Sequence, residues 1–285
     1  MSPSPYLQIL GSGAGDANFG APDAAGLPQK DQRRYTGMYL TPDTLIDFND
    51  HTPGALVEFG IDPETIEYLY ISHGHYDHFQ PLEIIRFAAS LAHPLKVFGN
   101  SMVIDALELC RDTFYDETSG RFVTHKEPYN LETVRLTLGT QVATGGVQLT
   151  PLLGNHYMNK PYSIMEQQSL NFLLETNGKK VFYGLDSSYM MPQTLALLAG
   201  THIDLAIVDA TFGPRQIDPK VSGHHNWVML DETLEDLRAQ GCIDGGTVIV
   251  AAHLSCGNIG VHDEIAPEQA TRGITVAYDG LILPL

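Results

Sequence analysis

The sequence predicts an α/β fold built as a four-layer αββα sandwich. Three observations carry that expectation. Short apolar strands bounded by Gly, Pro, Asp or Asn occur in both halves of the 285-residue chain. They come first in antiparallel-looking groups and then interleave with helix patterns. Nothing cuts the chain in two: there is no internal repeat, no low-complexity tract and no proline-rich linker, so one domain over residues 1–285 is expected.

The elements follow in order. "YLQILGS", "GMYLTP", "TLIDF" and "EYLYIS" read as strands of four to six residues. A helix is expected from Pro81 to Ala92, because proline is tolerated in a first helical turn and Leu82, Ile85, Phe87 and Leu91 suggest an apolar stripe. "PLKVFGN" reads as a strand and "SMVIDALELCRDTF" as a helix. "VRLTLGTQVATGGVQLTPLLG" reads as two strands around Gly145-Gly146, and "LNFLLETNGKKVFYGLD" as a hairpin turning at Asn177-Gly178. "PQTLALLAG" and "NWVMLDETLEDLRAQG" read as helices, with "IDLAIVDATF" and "GTVIVAAHLS" as strands. The closing "ITVAYDGLILPL" reads as a hairpin.

Composition narrows the function. The formal net charge of -18 comes from 34 acidic against 16 basic residues, which would repel a long polyphosphate backbone. A small phosphorylated molecule is not excluded, since cations bound in a site invert the local potential. Three widely spaced cysteines suggest neither a disulfide framework nor a thiolate metal knuckle. No apolar run approaches the length of a membrane span, and "MSPSPYLQILGSG" lacks the pattern of an export signal, so a soluble cytoplasmic protein with no membrane partner is expected. A homodimer is left open.

The chemistry is concentrated in "ISHGHYDHFQP", which places three of the chain's 12 histidines within six residues, between an apolar strand and a helix. His73 and His75 stand two apart, so in extended backbone their imidazoles point the same way and suit one metal ion. Asp77 and His78 come where the chain turns and can diverge toward a second ion. Imidazole and carboxylate donors without thiolate suit Zn²⁺ first, with Mn²⁺ or Fe²⁺ as alternatives. Four ligands do not complete two sites, so further donors are expected at strand ends. His156 in "LTPLLGNH", Asp186 in "KVFYGLDSS" and His253 in "VIVAAHLS" each follow a strand directly.

With these residues in place the chain resembles the metallo-β-lactamase superfamily along nearly its whole length. The resemblance implies that His73, His75 and His156 hold one ion, that Asp77, His78 and His253 hold the other, and that Asp186 bridges them. Asp47 in "TLIDF" matches an aspartate that orients a ligand histidine from behind. The family usually follows it closely with glycine, whereas this chain reads "DFND". "LGSGAG" after the first strand and "VSGHHNW" before a late helix resemble the phosphodiesterase branch, closer to its PhnP-like cyclic-phosphate enzymes than to the tRNA 3′-processing ribonucleases. The cysteine-rich metal site of PhnP-like proteins has no counterpart in "GDANFGAPDAAGLPQKDQRR", and a long basic arm for gripping tRNA is missing as well.

The function implied is hydrolysis of a small or cyclic phosphodiester at two divalent ions, which lower the pKa of a water between them. Asp77 would belong to the catalytic centre. His224 would protonate the leaving oxygen, with His225 as its neighbouring competitor at the substrate. Lys160, Tyr162 and Met165, in the loop "YMNKPYSIMEQQS", are expected to wall the substrate pocket; Arg215 in "FGPR" is a candidate phosphate contact, with a plain surface arginine as the favoured alternative. The alternatives are a carboxylic ester, thioester or lactone hydrolase on the same ions, and a tRNA-processing ribonuclease. A di-iron redox enzyme fits less well, since the usual carboxylate among the first-motif ligands and the fused flavin domain do not appear, and a metal-free scaffold fits less well because all seven ligand positions are filled.

Overall fold

A computed structural model describes residues 4–124, 130–157, 168–218 and 222–285. Two seven-stranded sheets face each other. The first begins with β1 (Tyr6–Gly11), β2 (Gly37–Leu40), β3 (Thr44–Ile46) and β4 (Tyr68–Tyr70), and continues through β5 (Leu95–Gly99) to β8 (Leu131–Arg135). The second runs from β9 (Val142–Thr144), β10 (Val147–Tyr157) and β11 (Gln168–Thr176) through β12 (Lys179–Gly184) to the parallel strands β13 (Leu205–Asp209), β14 (Val248–Ala252) and β15 (Ile274–Val276). The last strand, β16 (Ile282–Pro284), returns to pair with β1.

The layers follow from which strand faces are apolar. Leu7, Ile9, Met38 and Ile46 meet Phe172, Leu174, Tyr183 and Val250 between the sheets in a single buried cluster. The outer face of the first sheet carries α1 (Thr52–Glu58), α2 (Pro81–Ser90) and α3 (Ser101–Asp112), buried through Leu56, Phe87 and Leu107. The second sheet carries α4 (Pro192–Leu198) and α5 (Trp227–Ala239) through Leu198, Leu230, Leu234 and Leu237, with α6 (His262–Thr271) packed beside them through Ile265 and Ala266. The αββα sandwich is therefore the observed architecture. Among the described residues no helix is long and apolar enough to cross a membrane.

Four local expectations are corrected. "ITVAYDGLILPL" is not a hairpin: β15 ends one sheet and β16 edges the other, so the closing segment straps the two sheets together. Ahead of Gly145-Gly146, Val134 and Arg135 lie at the end of β8 in the first sheet while β9 pairs in the second, because the chain crosses between layers where apolar patterning alone reads as continuous. The buried face of α2 is made by Ile84, Phe87 and Ala88, while Leu82 is exposed. The helix at 101 stops at Asp112, and Thr113 opens a two-stranded hairpin of β6 (Thr113–Asp116) with β7 (Arg121–Thr124).

Glycine matters where β1 leaves the sheet. A side chain at Gly11 would place its Cβ 1.8 Å from the Tyr35 carbonyl oxygen, so only glycine permits this approach of β1 to the chain preceding β2. The loop beyond it is thereby held down over the strand ends, and Gly15 reaches the rim of the cleft described next.

Candidate metal centre

The ligand candidates arrive at one end of the sandwich from strand exits. Asp47 follows β3, the "SHGHYDH" loop follows β4, His156 lies near the end of β10, Asp186 follows β12, and His253 follows β14. Three of these strand-end residues, Asp47, Asp186 and His253, have φ of 60°, 50° and 58°. Left-handed backbone is unfavourable for residues with a Cβ, and such strain collects where function requires a side chain to be aimed.

Two donor sets form. In the first, His73 Nε2 and His156 Nε2 lie 3.0 and 2.9 Å from His75 Nδ1, and 3.5 and 3.6 Å from Asp186 Oδ2. In the second, His78 Nε2 and His253 Nε2 are 3.1 Å apart, and Asp77 Oδ2 stands 3.6 and 3.3 Å from them. Asp186 Oδ1 closes this second set at 3.1 and 3.3 Å from the same two nitrogens. One carboxylate thus offers a separate oxygen to each set.

The sets fit divalent ions. Four ligands in a tetrahedron with bonds of about 2.0–2.2 Å stand about 3.3–3.6 Å from one another, close to the spacings above. Asp186 Oδ1 is buried yet accepts no hydrogen bond, an uncompensated position that a cation would resolve. The donors are nitrogen and oxygen only, which leaves Zn²⁺, Mn²⁺ and Fe²⁺ as matching ions.

Electrostatics agree with that fit. Burial, reinforced by His78, pushes the His73 ring well below the ordinary histidine range, and burial takes His156 to about 3, so both present neutral rings. Burial opposes charge on His253, but Asp186, Asp77 and Asp209 outweigh it and raise that ring to about 9. Burial also disfavours the Asp77 carboxylate, yet His78 and His253 bring it down to about 2. Cation-stabilising carboxylates and desolvated imidazoles thus share one enclosed volume.

Two of the rings, His78 and His156, are aimed from behind. Asp47 Oδ2 accepts from His78 Nδ1 at 2.7 Å and from the Tyr183 hydroxyl, and its Oδ1 accepts from Ser72 N at 2.8 Å. His156 Nδ1 donates to Gly223 O at 3.0 Å, leaving Nε2 for the ion. Within "DFND", Asn49 Nδ2 donates to Thr36 O and Asp77 O, both at 2.8 Å, and so ties this turn to the ligand loop.

The sequence reading missed Asp209, at the end of β13. Its fully buried carboxylate accepts from His224 Nδ1 and His225 N, both at 2.9 Å, and from Asp186 N at 3.1 Å. Burial opposes its charge, but His224, His253 and His225 hold the carboxyl below the usual carboxylate range. Thr211, which follows closely, touches His253 Nδ1 at 2.7 Å and His224 Nδ1 at 3.2 Å through its hydroxyl. The available signal was the apolar-strand-then-aspartate pattern already recognised at Asp47 and Asp186.

The two adjacent histidines separate. His224 lines a cleft of about 340 Å³ over the ligands, its ring stacked on His253 at 5.1 Å and tilted against His156 at 4.5 Å. His225 does not face substrate, which corrects that expectation: its ring is fully buried, with Nε2 2.8 Å from the Thr233 hydroxyl of α5. Arg215 is exposed and donates to Asn258 Oδ1 at 3.3 Å, so it stands behind a residue of the cleft rim and does not line the cleft. Lys160, Tyr162 and Met165 lie outside the described residues.

The family profile described as a beta-lactamase superfamily domain matches residues 42–243, a stretch that holds every ligand candidate except His253. The chain belongs to the metallo-β-lactamase superfamily. Solved structures of similar fold span it almost entirely. One is a diphosphatase from the PhnP family, at TM-score 0.67 and 18% identity, with 99% of this chain and 98% of that one covered. Zn²⁺-bound PqqB from Methylobacterium extorquens superposes at TM-score 0.72 and 17% identity, covering 98% and 100%. Human tRNase Z, short form, does so at 0.65 and 18%, covering 98% and 100%. Among curated protein sequences no match is found. At such identities the likeness of these superfamily members speaks for the fold, and the site must be argued from its own geometry.

Proposed function

We propose that the protein is a binuclear metal-dependent phosphodiesterase acting on a small or cyclic diester. The observation that carries this reading is His224, placed against one histidine of each donor set and anchored through Nδ1 by Asp209. Hydrolysis of a carboxylic ester, lactone or thioester on the same ions requires no such ring. A phosphodiester with a poor leaving group does, because its departing alkoxide needs a proton.

When bound, two divalent ions supply an activated water near neutral pH and neutralise charge on the phosphoryl oxygens. The chain's own residues do the rest. Asp209 holds Nδ1–H of His224, so that Nε2 is the atom left to deliver a proton to the leaving oxygen. Asp47 and Gly223 O fix the tautomers of His78 and His156. Among the described residues, neither Lys nor Arg lines the cleft, and with a net charge of -18 this favours a small substrate over a long nucleic acid.

The test is a panel on protein of measured metal content, comparing bis(p-nitrophenyl) phosphate and a cyclic phosphate diester with a lactone and a thioester. The reading expects kcat/KM for the diesters to exceed the others. Faster turnover of lactone or thioester would move the assignment to the ester-hydrolase alternative.

A further inference from the structure

We infer that Tyr76 is a specificity-determining residue, its ring forming a stacking platform for a planar aromatic arm of the substrate at the cleft mouth. This rests on the phosphodiesterase reading above and adds the chemistry of the second arm of the diester. Tyr76 sits between two ligand candidates, His75 and Asp77, yet its side chain does not turn inward with theirs: it is 54% exposed and lines the cleft. Exposing a large ring this far in the middle of a buried ligand loop leaves apolar surface in contact with water, which an aromatic ligand would remove.

The ring is held ready. Its hydroxyl donates to Gly15 O, and a side chain at position 15 would bring a Cβ to 3.0 Å from that hydroxyl, so glycine there makes room for the bond. Tyr76 also stands edge-on to Tyr35, with centroids 5.4 Å apart and planes at 88°. Tyr35 is in turn stacked on His51 at 4.5 Å and 16°, and its backbone N–H donates to His51 Nδ1 at 3.0 Å. A ring fixed by its hydroxyl and by an edge contact loses little freedom when a planar group settles on it.

The rest of the cleft gives such an arm few other anchors. Phe212 is a second aromatic ring lining it, edge-on to His224 at 5.8 Å and 77°. Asp16 also lines it, but its carboxylate is already used by Ser255 Oγ, Cys256 N and Gly257 N at 2.7, 3.1 and 3.0 Å. Neither Lys nor Arg is among the described lining residues, so beyond the hydrogen-bonding groups of Thr211, Ser255 and Asn258 the rings of Tyr76 and Phe212 are what the cleft offers a planar arm. Stacking a base or aryl group on an aromatic side chain changes affinity by about tenfold or more.

Binding is tested apart from turnover, by calorimetric titration of metal-loaded protein with phenylphosphonate and with methylphosphonate. Wild type is expected to bind the phenyl compound about tenfold tighter. Tyr76→Leu should bring the two affinities together, and Tyr76→Phe, which keeps the ring, should restore the preference, with metal content checked in each. Equal affinities in wild type, or an undiminished preference in a metal-loaded Tyr76→Leu protein, would overturn the inference. In parallel, KM for bis(p-nitrophenyl) phosphate and for methyl p-nitrophenyl phosphate should diverge in wild type and converge in Tyr76→Leu. If wild type turns over neither diester, the phosphodiesterase reading fails, while the phosphonate titration still decides the role of Tyr76.

Discussion

Asp209 Oδ2 lies 2.9 Å from His224 Nδ1, at a buried strand end that also accepts the backbone N–H of Asp186. One carboxylate therefore positions both the proton-donor candidate and the carboxylate shared by the two donor sets. Asp209→Asn keeps the shape but removes the charge and offers a donor where an acceptor is needed. Metal content should stay near that of wild type, while kcat for a diester with a poor leaving group should fall by about 10- to 100-fold, as for other outer partners of metal ligands. Metal analysis beside initial rates checks both halves.

Asp186 gives a sharper metal prediction. Oδ2 faces His73 and His156, and Oδ1 faces His78 and His253. Because truncation takes an oxygen from each set at once, Asp186→Ala should lower the affinity of both ions. Asp77→Asn should weaken the second ion alone. Titration with Zn²⁺ under a competing chelator distinguishes the two patterns, and loss of one ion only in Asp186→Ala would count against a shared carboxylate.

His225 carries a pH signature. Burial lowers its pKa to about 4 from the ordinary 6.5. The folded protein holds the ring neutral, so the stability it contributes is fully present above pH 6.5 and is lost as pH falls toward 4. By linkage the loss should reach about 2 kcal/mol at pH 5. His225→Gln removes this titration. The difference in urea unfolding free energy between wild type and variant, compared at equal metal loading, should therefore shift against wild type on going from pH 7 to pH 5. A difference independent of pH would show that the ring is not buried neutral.

The sequence disclosed the site more readily than its surroundings, for physical reasons. His73, His75, Asp77 and His78 share one loop, and His156, Asp186 and His253 each end an apolar strand, so residue type and position both pointed to them. Asp209 ends a strand in the same way, but its partner is another side chain and not a string of ligands, and nothing local in "VDATF" announces that. His224 and His225 are equivalent as text. Only the left-handed Gly223, with φ of 66°, and the Asn226 cap of α5 send one ring to the cleft and the other to Thr233. The helix α6 was missed because "HDEIAPEQAT" contains a proline and no apolar stripe, and the crossing after β8 was missed because apolar alternation does not say which sheet a strand joins.

In the proposed function, His224 delivers a proton to the leaving group beside a binuclear centre. The most direct measurement of that step is kcat of metal-loaded wild type and His224→Ala on two diesters that differ only in leaving group, p-nitrophenoxide against a simple alkoxide. Metal content should be unchanged, with a loss of about 10²- to 10⁴-fold on the alkoxide diester and a much smaller one on the p-nitrophenyl diester. Equal losses on both substrates, or none on either, would contradict it.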